Sequence, residues 1–216
     1  VIEEILAPGV VTEETFSDDS ASPLFPEELA LVASAVPKRR NEFTTTRGCA
    51  RKALGSLGFP PAPLLTGERG APIWPDGVVG SMTHCDGYRA AVVAHQSDFL
   101  ALGIDAEPAG PLPDGVLDAI ARPEELVRLK DLADTREEVC WDRILFSAKE
   151  SVYKTWFPVT RQWLGFEDAS IDIDPDTGAF RARLLVSAET FGPRTEFHGR
   201  WMLRDGLVLT AISHPR

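Results

Sequence analysis

Gly103-Ile104-Asp105-Ala106-Glu107 lies inside an apolar run with strand character. Side chains alternate along a strand, so Asp105 and Glu107 share one face. Two carboxylates on one face repel unless a cation sits between them. Their hard oxygens suit Mg²⁺, with Mn²⁺ as a substitute, while a solvent-facing strand end carrying two acids is the bland alternative. Further on comes Phe146-Ser147-Ala148-Lys149-Glu150-Ser151-Val152-Tyr153-Lys154. Glu150 and Lys154, spaced i, i+4, share a helix face, and an exposed ion pair is the plain reading of them. Yet Trp141, Ile144, Leu145, Phe146, Tyr153, Trp156 and Phe157 cover much of this helix. A helix that apolar is expected to be buried, so Lys149, Glu150 and Lys154 need partners. A metal shared with Asp105 and Glu107 would satisfy Glu150. Gly80-Ser81-Met82-Thr83-His84-Cys85 ends another strand. That puts Thr83 and His84 at a turn, where ligands are often met, although a lone histidine is as readily structural. Arg69, in Gly67-Glu68-Arg69-Gly70-Ala71-Pro72, stands on a loop able to bring a guanidinium to a phosphate.

The elements that must position these groups follow from periodicity and punctuation. Residues 7–25 mix apolar patches with Pro, Ser and Asp and read as a strand or loop lead-in. Pro26-Glu27-Glu28 opens a helix predicted to reach Val36, and a second helix is predicted over Lys38–Leu57. Phe43, Cys49, Ala50, Ala53, Leu54 and Leu57 form its inner side. A Pro- and Gly-rich loop fills residues 58–77. Strands are predicted at Val78–Met82, Tyr88–Ala94 and Phe99–Ala106, then helices at Pro123–Ala133 and Arg136–Phe157, the latter ended by Pro158. The tail alternates as four strands: Ala169–Ile173, Phe180–Val186, Phe197–Leu203 and Leu207–Ser213. Helix, helix, strands thus occurs twice, which suggests two halves, 1–108 and 109–216, with no close sequence repeat. Grouped strands argue for an α+β fold.

The chain has 216 residues and a formal charge of −11. Net acidity argues against a general nucleic-acid binder, and no apolar run approaches a membrane span. Neither a secretory nor a transit leader is recognisable. Three scattered cysteines, Cys49, Cys85 and Cys140, fit neither a disulfide framework nor a zinc site. They point to reduced thiols in a cytoplasmic protein. Residues 1–37 carry −8 of the charge, whereas 38–52 hold Lys38, Arg39, Arg40, Arg47, Arg51 and Lys52 against Glu42, a local +5. One basic segment in an acidic chain suggests a defined anionic ligand, or simply a solvated helix face.

Together the motifs resemble those of the 4′-phosphopantetheinyl transferases. G-I-D-x-E followed by F-S-x-K-E-S-x-Y-K is similar to that family's paired signature. G-S-x-T-H-C and the segment from Lys38 to Arg51 resemble its surfactin/enterobactin branch. Pro72-Ile73-Trp74-Pro75 and Trp156-Phe157-Pro158 look closest to the enterobactin-synthetase subgroup. The resemblance spans roughly residues 37–160 and implies two similar halves related by a pseudo-twofold. It also implies Mg²⁺-dependent transfer of the phosphopantetheine arm of coenzyme A to a serine of an apo acyl or peptidyl carrier protein, releasing 3′,5′-ADP. Such carriers serve natural-product, siderophore, fatty-acid or polyketide synthesis. By resemblance, Asp105, Glu107 and Glu150 hold the metal, while Ala106 offers no ligand side chain. Glu150 or a metal-bound water deprotonates the serine, and Lys154 meets the leaving charge. Arg39, Arg47, Arg69, Thr83, His84, Asp105, Lys149 and Lys154 are expected around coenzyme A. Residues 112–135 match the carrier-contacting region, with Leu117, Ile120, Leu126 and Leu129 either as contacts or as ordinary core. A monomer without nucleic-acid or membrane partners is expected. A metal-dependent hydrolase of the coenzyme A pyrophosphate and a non-catalytic binder of coenzyme A or carrier stay open as alternatives.

Overall fold

The computed structural model describes residues 1–18, 23–192 and 195–216. Of the lead-in at 7–25, residues 19–22 lie outside the described residues. The lead-in contains strand β1 (Val11–Thr15). Helix α1 (Pro26–Leu31) starts on a proline with two acids in its first turn, as its sequence dictates. It stops short of Val36: the Arg40 guanidinium donates to the carbonyls of Val32 and Ala33 at 3.3 and 3.1 Å, which holds the chain in a turn there. Helix α2 (Pro37–Ser56) follows and buries Phe43, Cys49, Ala50, Ala53 and Leu54, the inner side expected of it.

Strands β2 (Val78–Cys85) and β3 (Tyr88–His95) form a hairpin that β1 extends, giving a three-stranded antiparallel sheet in the order β1-β3-β2. Strand β4 (Phe99–Pro108) leaves that sheet. After α3 (Val116–Ile120), α4 (Pro123–Thr135) and α5 (Trp141–Thr160) come β5 (Ala169–Ile173), β6 (Ala179–Leu184), β7 (Glu196–Arg204) and β8 (Leu207–Pro215). These build a five-stranded antiparallel sheet in the order β4-β8-β7-β6-β5. The fold is α+β. The strand that closes residues 1–108 in sequence pairs with β8, so by hydrogen bonding it lies with the strands that follow it.

Pro158 does not end α5. It sits in the last turn, where a missing N–H costs only one i→i−4 bond. The helix runs on to Thr160 and stops at Arg161, which takes φ 57°.

Strand alternation explains the layers. On β3, Ala91 and Val93 pack under α2, while Ala90, Val92 and Ala94 face a core shared with Leu102, Ile104 and Ala106 of β4. The other face of β4 meets α5. Gly103 lies there because a Cβ would stand 2.2 Å from both the Ser151 carbonyl and Thr155 Oγ1. Ser147 and Ser151 reach Thr210 of β8 at 2.9 and 2.7 Å, which satisfies hydroxyls that would otherwise be buried unpaired.

The two sheets meet along β2 and β4, which run parallel. Here side chains make the link: Ser81 Oγ accepts from the Ile104 amide and Thr83 Oγ1 from the Ala106 amide, each at 3.1 Å. No helix among the described residues is long and apolar enough to cross a membrane.

Candidate active site

A cleft of about 350 Å³ opens over this seam, within the size range of small-molecule sites. One wall carries Arg39 and Arg47 of α2, His84 of β2 and Arg69 of the 58–77 loop. The opposite wall carries Glu150, Tyr153 and Lys154 of α5. A second cavity of about 430 Å³ continues beyond Arg69, Glu150 and Tyr153, toward Lys149, Trp163 and Phe166.

The basic wall is built, not merely solvated. Arg47 is buried against the Phe43 ring, its guanidinium carbon 3.3 Å from the centroid. It donates to the Leu64 carbonyl and to Thr66 Oγ1, both at 2.9 Å, and so holds the loop that carries Arg69. Burial lowers its pKa to about 10, which leaves it charged at neutral pH. Arg69 adopts φ 51° and stacks over Trp163 at 4.9 Å. Arg39 donates to His84 Nε2 at 2.6 Å. Nε2 must then be the bare nitrogen, and the protonated Nδ1 faces Glu42 at 3.6 Å. Burial, and next the Arg39 charge, push the His84 pKa down, so its imidazole is neutral.

Arg51 is not a surface charge. It donates twice to the fully buried Glu28, at 2.8 and 2.9 Å, and Glu28 also accepts the Leu64 amide at 2.9 Å. Part of the acidic lead-in therefore serves the fold: Glu28 ties α1 to α2, and Asp18 pairs with Arg89 at 3.1 Å. Lys52 is exposed.

On the acidic side, Gly103, Asp105 and Glu107 of β4 face α5 and Ala106 points into the core. Lys154 does not pair with Glu150. Its ammonium donates to Asp105 Oδ1 at 2.8 Å and to the Ile104 carbonyl at 3.0 Å. Thr83 Oγ1 also reaches Asp105 Oδ1, at 3.4 Å. Glu107 pairs with Arg143 at 2.9 Å. Burial and then the Asp105 charge raise the pKa of both Glu107 and Glu150.

Among the described residues, no three His, Cys, Asp or Glu side chains are gathered as a ready metal cluster. The donor set nonetheless fits a divalent cation. Asp105 Oδ2 is buried without a hydrogen-bond partner among the described residues. Three carboxylates, Asp105, Glu107 and Glu150, stand against two cations, Lys154 and Arg143, which leaves one net negative charge.

Lys149 is occupied elsewhere. Its buried ammonium meets Glu125 at 2.9 Å and the carbonyls of Phe166 and Ala169 at 2.7 and 2.9 Å. All three donors are used, so the expected phosphate contact is not available to it as the side chain stands. Thr83, Asp105 and Glu107 are not among the cleft-lining residues; the first two lie directly behind Lys154. Sequence reasoning missed Glu125 and Arg143. The signal for Arg143 was present, since it lies seven residues before Glu150 and hence on the same helix face. Burial pushes the Cys49 thiol up to about 11 and the Cys85 thiol up to about 12, which disfavours the thiolate at both.

Residues 25–94 match the model of the 4′-phosphopantetheinyl transferase N-terminal domain, and residues 101–207 match that of the 4′-phosphopantetheinyl transferase superfamily. The chain belongs to this family. A 4′-phosphopantetheinyl transferase of Streptomyces mobaraensis, Svp, is 57% identical over 218 residues, covering 99% of this chain and 89% of the relative. The 4′-phosphopantetheinyl transferase PptT of Mycobacterium tuberculosis is 52% identical over 206 residues, covering 92% of this chain and 89% of the relative. Enterobactin synthase component D of Salmonella typhimurium is more distant, at 32% over 188 residues, covering 83% of this chain and 74% of the relative. As a phosphopantetheinyl transferase, the chain is an enzyme that moves phosphopantetheine groups to carrier proteins, and coenzyme A is the donor that fits the family. The boundary between the two matched domains, at 95–100, coincides with the chain's passage from β3 to β4.

Proposed function

We propose that this transferase attaches the 4′-phosphopantetheine arm of coenzyme A to a serine of apo acyl or peptidyl carriers, with Mg²⁺, and releases 3′,5′-ADP. The observation that carries this reading is the single cleft with Arg39, Arg47, Arg69 and His84 on one wall and Glu150 and Lys154 on the other. In this reading the basic wall binds the phosphates of coenzyme A, and His84 contributes a ring N–H once Arg39 turns to phosphate, since a phosphate oxygen accepts. Asp105, Glu107 and Glu150 would hold Mg²⁺, which would supply positive charge against the pyrophosphate. Glu150, directly or through a water, takes the carrier serine proton as the serine oxygen bonds to the β-phosphorus. The bond from that phosphorus to the bridging oxygen breaks, and Lys154, held by Asp105, stands ready to protonate the oxygen that leaves. Arg69 and Tyr153 border both cavities, and the second leaves room for the arm.

Both walls come from one chain, which supports a monomer of two halves as the working unit. Several apo-carriers incubated with coenzyme A and Mg²⁺ test the function by intact mass. One phosphopantetheine added to a carrier is the expected result, and its absence from every carrier overturns the reading. Release of phosphopantetheine without any carrier would favour pyrophosphate hydrolysis instead.

A further inference from the structure

Arg143 is absent from the motif-based site, yet it holds Glu107. Its Nη1 donates to Glu107 Oε2 at 2.9 Å. The same guanidinium donates through Nε to the Gly110 carbonyl at 3.0 Å and through Nη2 to the Pro111 carbonyl at 2.7 Å. Beside it, Asp142 accepts the Leu112 amide at 2.7 Å, so the first turn of α5 clasps the chain just after β4. A guanidinium fixed on two backbone carbonyls is an anchored group, not a mobile counter-ion. It engages one carboxylate oxygen, and Glu107 Oε1 accepts no hydrogen bond from the described residues. Ligating carboxylates are commonly fixed in this way by an outer partner.

We infer that Arg143 is a positioning residue, which presents Glu107 to the metal through the oxygen it leaves open. The inference rests on the metal reading above. It differs from a placeholder role, in which the arginine would compete with the metal and its removal would tighten binding.

The test is Mn²⁺ binding to the full chain, followed by electron paramagnetic resonance without coenzyme A or carrier. R143A should weaken Mn²⁺ binding by about 10–100-fold, the usual effect of losing such a partner. R143K keeps the charge but not the planar fork, and should fall between wild type and R143A. If R143A does not fold, an R143K affinity at least about threefold below wild type carries the same result. D142A loosens the same segment without touching Glu107, and should stay within about twofold of wild type. Arginine variants that bind Mn²⁺ as tightly as wild type, or more tightly, overturn the proposal, as does D142A weakening it as much as R143A. A wild-type protein that binds no Mn²⁺ overturns the metal reading and this inference with it.

Discussion

Glu150 is the carboxylate of the site that makes no hydrogen bond or ion pair with the described residues, because Lys154 turns to Asp105 and Arg143 takes Glu107. It is therefore the side chain whose removal costs chemistry and little architecture. E150Q is expected to lose about 10²–10⁴-fold in transfer rate while its urea midpoint rises, since the buried charge it removes opposes folding, read by intact mass of the carrier and by denaturation. His84 has a different signature. Its pKa in the folded protein lies below the ordinary 6.5, so the unfolded chain binds its proton first as pH falls. Stability is then intact above about pH 6.5 and declines below it, through the window down to the lowered native value. His214, also held down by burial, adds the same sign. H84N should flatten part of this decline when urea midpoints at about pH 7.5 and about pH 5.5 are compared; an unchanged decline would show that His84 does not titrate as described.

At the scale of elements, the signature motifs divide into residues that face the cleft and residues that let α5 lie on β4. Gly103, Ser147 and Ser151 belong to the second kind. G103A drives a methyl group into the Ser151 carbonyl and the Thr155 hydroxyl, and should destabilise the fold by about 1–3 kcal/mol or more, measured by urea unfolding. Much of this layer was legible. The predicted helix at 38–57 differs from α2 by one residue at each end, and Ala169–Ile173 coincides with β5, because turn chemistry and strong periodicity bracket both. Pro158 misled because a proline removes only the bond from its own position back to the i−4 carbonyl, a loss that α5 tolerates two residues from its end. The end of α1 and the identity of β1 were hidden because tertiary contacts decide them: Arg40 on the next helix, and pairing with β3. In the site, Glu150 and Lys154 were readable from helical spacing, as was Arg143's place on their face, whereas the pairings Lys149–Glu125 and Glu107–Arg143 are decided between elements far apart in the chain.

For the molecule as a whole, the informative feature is the seam between the sheets. S81A would strip the Ile104 amide of its acceptor and should cost about 1–3 kcal/mol. Faster hydrogen exchange in a peptide spanning β4 is the expected readout, with β6 and β7 unaffected. Unchanged exchange at Ile104 would mean that the hydroxyl does not hold the seam. The acidic balance of the chain also resolves here: buried acids such as Glu28 brace the basic helix, and Arg39, Arg47 and Arg69 line one wall of the cleft. Because Arg39, Arg47 and His84 stand on the layer of α2 and β2 while Glu150 and Lys154 stand on α5, which packs on β4, a ligand spanning the cleft becomes a tether between the two layers. Its binding energy must then reappear as resistance of the entire protein to unfolding, about 2.7 kcal/mol at a hundredfold excess over Kd. A fragment that touches only the basic wall lacks the second hold, binds more weakly, and should protect the same shared core less at equal concentration.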